Sequence, residues 1–371
     1  MVGQEKDDDL NDQNDQNDRN DRNDQGLLSS TLREAKGRFR PLNVTFELST
    51  ACNLRCTHCY NFDRKTVTRP KSERPALTPT EIKRVLFEIR EAGALVVAFT
   101  GGEALLHPHL LDFVRTARAL KLAVRLKSNG TLIDAAKACQ LREAGVVELE
   151  VSLYGASPGS HDPFTNSPGS FASTLAAVGA AKDSGISTQI NFVMHRGCAG
   201  EVADMLALAE TLGVRSSLSM ELTSRYDGTT DSLDERLTEE DLKNIFRGSS
   251  GHYFVPSINE TDSVQCACAT TNVGIGFDGT VYPCIGAPIP SGDLRQQSFS
   301  TIWHESKVFA WIRSLSLDDF KSCKPCELRP YCQRSSGAIF TNTGDYTGKE
   351  DWTCKQAELL RELSLKELNM E

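Results

Sequence analysis

Two kinds of hydrophobic pattern alternate along residues 42 to 221. Short apolar runs rich in β-branched residues are typical of strands, and apolar residues spaced three and four apart are typical of amphipathic helices. Strands are predicted at residues 42–49, 95–100, 122–128, 146–153, 187–194 and 214–221. Helices are predicted at residues 78–93, where Thr78 and Glu81 form a capping box, and at 133–144, 170–184 and 199–212. Such alternation indicates parallel strands with right-handed crossovers, in an open doubly wound sheet or a partial barrel.

The segments that follow the first four predicted strands carry polar or metal-binding residues. They are, in strand order, Cys52 with Cys56 and Cys59, then Gly-Gly-Glu at 101–103, Ser-Asn-Gly at 128–130, and residues 152–154. Parallel strands end at one edge of a sheet, and function lies on the loops that follow those ends. We therefore expect these four segments to converge on one face.

The rest of the chain divides by composition. Residues 1–26 are an acidic tail with an Asn-Asp triplet repeat, predicted to be disordered because the repeat has no apolar residue to bury. Four further segments are predicted: a barrel unit at 27–222, a linker with a short helix from Thr238 at 223–259, a cysteine-rich domain at 260–357, and a terminal helix at 358–371. Within the cysteine-rich domain, Asp278-Gly279 predicts a hairpin and residues 299–314 a helix. Its weak apolar periodicity indicates that bound metal stabilises it.

Length and charge narrow the class of protein. The chain of 371 residues, 39% of them hydrophobic, fits a globular protein of two domains. No apolar run approaches the roughly 20 residues of a membrane span, and the N-terminus is polar, so a cytoplasmic protein without a membrane partner is predicted. Residues 1–25 hold nine acids and three basic residues and supply −6 of the net charge of −9. The remaining −3 does not favour nucleic acid as a partner.

The twelve cysteines indicate metal or redox chemistry, because a reducing cytosol disfavours a disulfide framework. Cys52, Cys56 and Cys59 place three thiolates within eight residues. A structural zinc ion needs four protein ligands, so three leave its site incomplete unless a distant residue joins. Three thiolates on a 4Fe–4S cluster instead leave one iron open, which makes a site for chemistry.

The Cys-x3-Cys-x2-Cys spacing, with His58 before the last cysteine and Gly-Gly-Glu after the second strand, resembles the radical S-adenosylmethionine (radical SAM) superfamily over about residues 42–220. The resemblance implies an α/β fold with a partial (β/α)6 TIM-type barrel. It also implies a 4Fe–4S cluster with an open iron on Cys52, Cys56 and Cys59, and S-adenosylmethionine bound near His58, Gly101, Gly102, Glu103, Ser128, Asn129 and Ser152. One electron would then cleave S-adenosylmethionine to a 5′-deoxyadenosyl radical that abstracts hydrogen from the substrate.

The carboxyl-terminal cysteines resemble a SPASM domain, which carries auxiliary iron–sulfur clusters, over about residues 260–357. The resemblance implies one full cluster, for electron transfer or structure, on Cys323, Cys326, Cys332 and Cys354. The module normally has another cysteine shortly after the Cys332 position, where this chain has Ser335 and Ser336. The second site is left with Cys266, Cys268 and Cys284. We expect a cluster there with an open or non-cysteine ligand; a degraded or absent cluster is the alternative.

SPASM-containing members of the superfamily commonly modify peptides or proteins. The resemblance therefore implies a maturase that oxidises side chains of a ribosomally made peptide or small protein, for example by crosslinking. Its expected partners are the precursor and a reductant such as flavodoxin or ferredoxin. No dedicated peptide-binding domain is evident, so a separate leader-binding protein or the barrel surface is expected to bind any leader. A small-molecule enzyme of tetrapyrrole side chains is one alternative. A non-catalytic iron–sulfur scaffold is the other, and the intact cysteine motif with Glu103 argues against it.

Other reactive residue types receive structural interpretations. Cys139 and Cys198 fall outside every motif and are predicted to be small core residues. His107 and His109 are predicted to pack in a loop, and a catalytic role for His161-Asp162 is disfavoured.

Overall fold

The computed structural model of the protein describes residues 34–65, 74–254 and 266–368. The predicted acidic tail at 1–26 lies outside the described residues. So do the starts of the two predicted domains, at 27–33 and 260–265.

Six parallel strands form the first part of the sheet. They are β1 (Asn43–Glu47), β2 (Val96–Thr100), β3 (Ala123–Ser128), β4 (Val146–Leu153), β5 (Ser187–Val193) and β6 (Arg215–Ser219). Each lies within the predicted segment, and each pairs in parallel with the next along the chain. A doubly wound sheet reverses its strand order, whereas this order runs from β1 to β6 without reversal. The partial (β/α)6 barrel is therefore confirmed and the doubly wound sheet is not.

Helices connect successive strands of the barrel. They are α1 (Pro79–Glu91), α2 (Leu110–Ala119), α3 (Ala135–Ala144), α4 (Pro158–Thr165), α5 (Ser170–Asp183) and α6 (Val202–Leu212). The predicted capping box begins α1, where the Thr78 and Glu81 side chains bond each other's backbone N–H. The sequence pattern missed α2 and α4. The first has His109 at its N-cap position without a side-chain cap hydrogen bond, and the second is eight residues long with Pro163 inside it.

The cysteine-rich domain continues the barrel sheet. Strand β7 (Asn272–Ile275) pairs in parallel with β1, and β8 (Thr280–Tyr282) and β9 (Gly292–Asp293) add antiparallel strands beyond it. The predicted hairpin is thus confirmed as β7–β8. Because β1 is hydrogen-bonded on both sides, the two predicted domains share one nine-stranded sheet.

The core of the cysteine-rich domain is shared as well. Residues 299–314 form two helices, α8 (Phe299–Glu305) and α9 (Lys307–Ser314), because Ser306 ends the first and caps the second. Trp303 and Phe309 are fully buried in the same apolar cluster as the barrel strands. The Trp303 Nε1 donates to the Phe39 carbonyl over 2.7 Å. The domain therefore draws stability from the barrel core, and its stabilisation by bound metal stays a prediction.

Three more helices complete the described chain. The predicted short helix is α7 (Glu239–Arg247), capped by Thr238, and α10 (Ser336–Thr343) and α11 (Asp351–Leu368) follow the cysteine-rich loops. Short 3-10 turns lie at Ala104–Leu106, Arg196–Cys198, Asp231–Glu235, Gly251–Phe254, Leu317–Asp319 and Arg329–Tyr331. Within the described ranges, no helix has the length and apolar character to cross a membrane.

The two cysteines outside the motifs differ. Cys198 is completely buried, as predicted for a small core residue. The same prediction was wrong for Cys139, which is exposed on α3 because the neighbouring Ala138 and Leu141 occupy the buried face of that helix. His107 and His109 contact each other and Phe113 beside α2, as expected of packing residues.

Candidate active site

The carboxyl ends of the barrel strands surround a cavity of about 740 Å³. Nine of the ten predicted barrel residues line it: Cys52, Cys56, His58, Cys59, Gly101, Gly102, Ser128, Asn129 and Ser152. They come from four strand-to-helix loops that are distant in sequence, as the parallel topology requires. The four loop segments thus converge on one face in the structure, as predicted from the sequence.

The Gly-Gly-Glu loop lies against the backbone that leads into the cysteines. The Gly102 N–H donates to the Ser49 carbonyl over 2.7 Å, and the Glu103 N–H donates to the Ala51 carbonyl over 2.7 Å. A side chain at Gly102 would overlap the Ala51 carbonyl oxygen. Glycine is therefore required at this position for the two loops to touch next to Cys52.

Glu103 lies behind the cavity wall. It is 1% exposed, and its carboxylate accepts hydrogen bonds from the Ser128 hydroxyl at 2.9 Å, the Asn129 N–H at 2.9 Å and the Leu105 N–H at 3.0 Å. Burial raises the pKa of Glu103, which these hydrogen bonds partly oppose. The side chain thus joins the second and third strand loops. It also orients Asn129, whose Nδ2 lies 3.9 Å from the Cys52 sulfur.

His58 is held as a neutral aromatic ring. Its ring lies 4.7 Å, centroid to centroid, from both Tyr154 and Phe164. Burial, with a smaller contribution from His195, lowers the pKa of His58 to about 3. Its Nδ1 is buried and has no hydrogen-bond partner among the described residues. The ring is therefore available to a bound group as an uncharged surface.

Arg64 places a cation against the cysteines, and it is not among the residues predicted from the sequence. Its Nε lies 2.9 Å from the Cys59 sulfur, and its Nη1 donates to the Thr50 carbonyl over 2.9 Å. Its Nη2 is buried without a partner in the described part of the chain. Burial raises the pKa of Cys52 and of Cys56, so three ionised thiolates need more positive charge than one guanidinium supplies. Iron bound to the thiolates would supply that charge, and this donor set fits a cluster.

The opposite wall of the cavity is polar and nearly neutral. Lys127 on β3 forms an ion pair with Glu150 on β4, and the Asn191 Nδ2 donates to the same Glu150 carboxylate over 3.1 Å. Gln189, Ser217 and Ser219 continue this surface. Lys127 and Glu150 are charged residues inside otherwise apolar strands, which is the sequence signal for this wall.

A buried acid lies beside the cysteine loop. Glu47, at the end of β1, is 5% exposed and accepts a hydrogen bond from the Tyr60 hydroxyl over 2.7 Å. Burial raises the pKa of Glu47 to about 7, and the nearby Asp278 adds to the shift while Tyr60 and Arg64 oppose it. Tyr60 also lines the cavity, so the carboxyl group is connected to the site through one hydroxyl.

A second group of cysteines borders the same cavity. The sulfurs of Cys268 and Cys284 are 3.0 Å apart, and the Cys266 sulfur lies 3.8 Å from the Tyr346 hydroxyl. A hydrogen bond with Cys268 lowers the pKa of Cys266, and hydrogen bonds with Cys266 and Cys284 raise the pKa of Cys268. Cys284 also lines the barrel cavity. The predicted second auxiliary site therefore adjoins the candidate active site.

The third group comprises Cys323, Cys326, Cys332 and Cys354. Burial raises the pKa of Cys332 to about 11, and the charges of Cys323 and Cys354 add to the shift. Burial likewise raises the pKa of Cys354, with smaller increases from Cys323 and Cys326. The four predicted ligands are therefore neighbours, although they span 32 positions of the chain.

In the described ranges, no three His, Cys, Asp or Glu side chains converge closely enough to hold a single metal ion.

Two family models match this chain. Residues 46–209 match the radical SAM superfamily, and residues 266–327 match SPASM, an iron–sulfur cluster-binding domain. The fold and the site define an iron–sulfur enzyme of the partial-barrel class. The chain thus carries a radical SAM domain and a SPASM domain. The predicted enzyme class is confirmed, as are S-adenosylmethionine and iron–sulfur clusters as the cofactor types.

Two curated relatives are named for different activities. An "AdoMet-dependent heme synthase" of Methanosarcina barkeri is 28% identical over 343 residues, covering 84% of this chain and 96% of that protein. A "PqqA peptide cyclase" of Gluconobacter oxydans is 27% identical over 303 residues, covering 77% of this chain and 83% of that protein. The relatives therefore agree on the enzyme class and differ in substrate.

Solved structures share the fold. The enzyme anSMEcpe with bound AdoMet has a TM-score of 0.68 at 18% identity, covering 88% of this chain and 98% of that chain. Streptococcus suis SuiB bound to the precursor peptide SuiA has a TM-score of 0.63 at 16% identity, covering 85% of this chain and 76% of that chain.

Proposed function

We propose that the protein cleaves S-adenosylmethionine reductively and abstracts hydrogen from a side chain of a ribosomally made peptide or small protein. The observation that carries the proposal is the convergence of Cys52, Cys56 and Cys59 with the glycine loop and Asn129 on one cavity. Cys52, Cys56 and Cys59 would hold the 4Fe–4S cluster. When bound, the cluster and S-adenosylmethionine would supply a 5′-deoxyadenosyl radical, and an external flavodoxin- or ferredoxin-type protein would supply the electron.

The residues around the cysteines would bind and orient the cosubstrate. Gly101 and Gly102 would bring backbone close to the methionyl amino group, because neither has a side chain to hold it away. Ser128, Asn129 and Ser152 would hydrogen-bond the ribose and carboxylate, and the neutral His58 ring would face the adenosyl portion. The unpartnered Nη2 of Arg64 would donate to a carboxylate in the same cavity.

The polar wall supports a peptide as substrate. Gln189, Asn191, Ser217 and Ser219 offer amide and hydroxyl groups, which can pair with the N–H and C=O groups of a peptide backbone. The Lys127 charge is neutralised by Glu150, so this wall does not demand a charged ligand. The PqqA peptide cyclase relatives and the SuiB–SuiA complex, named for peptide substrates, support the same substrate class. A separate protein or the barrel surface would bind any leader of the precursor.

A tetrapyrrole side chain is the second candidate. It is supported by the heme synthase relatives, of which one is matched over 96% of its length. A tetrapyrrole with several carboxylates needs several available cations. Among the described residues that line the cavity, the cations are Arg64, which has an unpartnered donor, and Lys127, which is paired with Glu150. The charge of the lining therefore favours the peptide.

The test is anaerobic incubation of the reconstituted protein with S-adenosylmethionine and dithionite, following 5′-deoxyadenosine. The Cys52→Ala/Cys56→Ala/Cys59→Ala variant should make none, whereas Cys139→Ala, which removes an exposed cysteine outside the three groups, should match wild type. Each reaction is repeated with candidate peptides and with an iron porphyrin bearing propionates, and products are weighed by mass spectrometry.

The outcomes separate the two candidates. Loss of two hydrogens from a peptide would support the maturase, and decarboxylation of the porphyrin would replace it with the second candidate. No 5′-deoxyadenosine from wild-type protein with its clusters verified would overturn both.

A further inference from the structure

We propose that the hydroxyl oxygen of Ser336 is the fourth protein ligand of an iron–sulfur cluster held by Cys266, Cys268 and Cys284. The proposal rests on the iron–sulfur loading assumed in the proposed function, but not on S-adenosylmethionine cleavage. It assigns a side chain to the fourth ligand position of this cluster, which the sequence leaves either open or occupied by a residue other than cysteine.

The three thiols form a local group that lacks a fourth sulfur. Cys268 lies 3.0 Å from Cys284, sulfur to sulfur, and forms a hydrogen bond with Cys266. The cysteine groups of the barrel and of residues 323–354 account for seven of the other cysteines, and Cys139 and Cys198 lie elsewhere in the fold. A four-iron cluster at this site therefore needs an oxygen or nitrogen ligand to be complete.

Ser336 adjoins the Cys266 thiol. Its backbone forms a hydrogen bond with the Cys266 sulfur, which places the first residue of α10 next to the group. The residue is completely buried, and its hydroxyl oxygen has no hydrogen-bond partner among the described residues. Buried hydroxyl groups are almost always paired, so an unpaired one on a residue that contacts the Cys266 thiol indicates a missing partner. Iron is such a partner, and ligation would release the hydroxyl proton to solvent.

The neighbouring Ser335 is already engaged, which separates the two serines. Its hydroxyl caps α10 by accepting a hydrogen bond from the Ala338 N–H over 3.3 Å, and it also forms a hydrogen bond with Glu221. From the sequence alone, either serine could replace the expected cysteine. The structure favours Ser336, because only its oxygen lacks a partner.

The helix start is fixed against the loop that follows Cys284. A side-chain carbon at Gly337 would lie 2.7 Å from the Gly286 carbonyl oxygen, so the two backbones touch there. Cys284 and Gly286 in turn line the barrel cavity. The proposed oxygen ligand would therefore sit in a rigid wall between the auxiliary site and the active site.

The experiment uses the full-length chain carrying Cys52→Ala/Cys56→Ala/Cys59→Ala, so that only auxiliary clusters contribute. Two four-iron clusters predict about eight irons per chain in this background. Ser336→Ala should lower the iron content by about one atom and give the EPR signal of a three-iron cluster, or lower it by about four atoms if the whole cluster is lost. Ser336→Cys should keep about eight irons and convert one oxygen-ligated iron to a sulfur-ligated one, seen as the loss of a distinct Mössbauer doublet. Ser335→Ala is the matched control and should leave iron content and spectra unchanged.

Several results would overturn the proposal. One is that Ser336→Ala keeps the iron content and Mössbauer spectrum of the background without the barrel cysteines. Another is that Ser336→Cys leaves the Mössbauer spectrum of that background unchanged. A background that binds only about four irons would overturn it too. If circular dichroism shows that Ser336→Ala does not fold, the Ser336→Cys spectrum decides alone. Because the background lacks the barrel cysteines, failure of S-adenosylmethionine cleavage in wild type is a separate result.

Discussion

Replacing Glu103 with alanine tests the idea that this residue joins two loops of the site. The substitution removes the acceptor of three buried donors: the Leu105 N–H, the Asn129 N–H and the Ser128 hydroxyl. Each buried donor left unpaired costs about 1–3 kcal/mol. Removing a carboxylate whose pKa is raised by burial returns part of that cost. We therefore expect a loss of about 3–5 kcal/mol in the free energy of unfolding, which is the lower part of the summed cost of the three unpaired donors.

The pH dependence of this loss has a defined sign. Because the pKa of Glu103 is raised in the folded state, wild type loses stability as pH rises through the interval between its unfolded and folded pKa values. The alanine variant has no such group. The difference between the two proteins should therefore shrink as pH rises through that interval, and it should be largest on the acid side.

The assay is anaerobic guanidinium denaturation of reconstituted proteins, followed by circular dichroism at several pH values. Glu143→Ala, an exposed acid on α3, is the control and should change stability by less than about 0.5 kcal/mol. Glu103→Gln should fall between wild type and Glu103→Ala, because it keeps one acceptor oxygen. A loss below about 1 kcal/mol for Glu103→Ala, or a loss that grows with pH, would refute the reasoning.

Three further predictions concern the surroundings of the cysteine loop. Burial raises the pKa of Glu47 to about 7, so wild type loses up to about 3 kcal/mol of stability as pH rises from about 4.5 to 7. Glu47→Gln should flatten this pH dependence of the free energy of unfolding in denaturation curves. An unchanged dependence would contradict the prediction. Gly102→Ala, which would overlap the Ala51 carbonyl, should displace the cysteine loop and remove about four irons from the barrel while the auxiliary iron remains, as measured by iron analysis. Arg64→Gln removes the guanidinium beside the Cys59 sulfur and should lower the reduction potential of the barrel cluster in EPR-monitored titrations. Arg64→Lys keeps the charge and should lower the potential less. Equal potentials in wild type and both variants would contradict a role for Arg64 beside the cluster.

Much of the barrel could be read from the chain because its signals are local. Strand β1 and the helix α1 follow from hydrophobic periodicity and a capping box, which depend on residues a few positions apart. The convergence of Cys52 and Asn129 on one cavity follows from parallel topology, since successive strands end at the same edge. Helix α2 was not predicted from the sequence, because His109 supplies no side-chain cap that would mark its start.

The roles of individual side chains depended on contacts that no local pattern encodes. The pairing of Asn43 with Asn272 joins the cysteine-rich domain to the barrel across 229 positions. The hydrophobic periodicity within either segment does not predict this pairing. The sequence placed Glu103 in a motif, but only the fold shows that its carboxylate faces Ser128 and Asn129 rather than the cavity. The same holds for Ser336, because whether a buried hydroxyl has a partner is decided by which elements pack around it. Local periodicity therefore determined the elements of this protein, and packing between distant segments decided what their side chains can do.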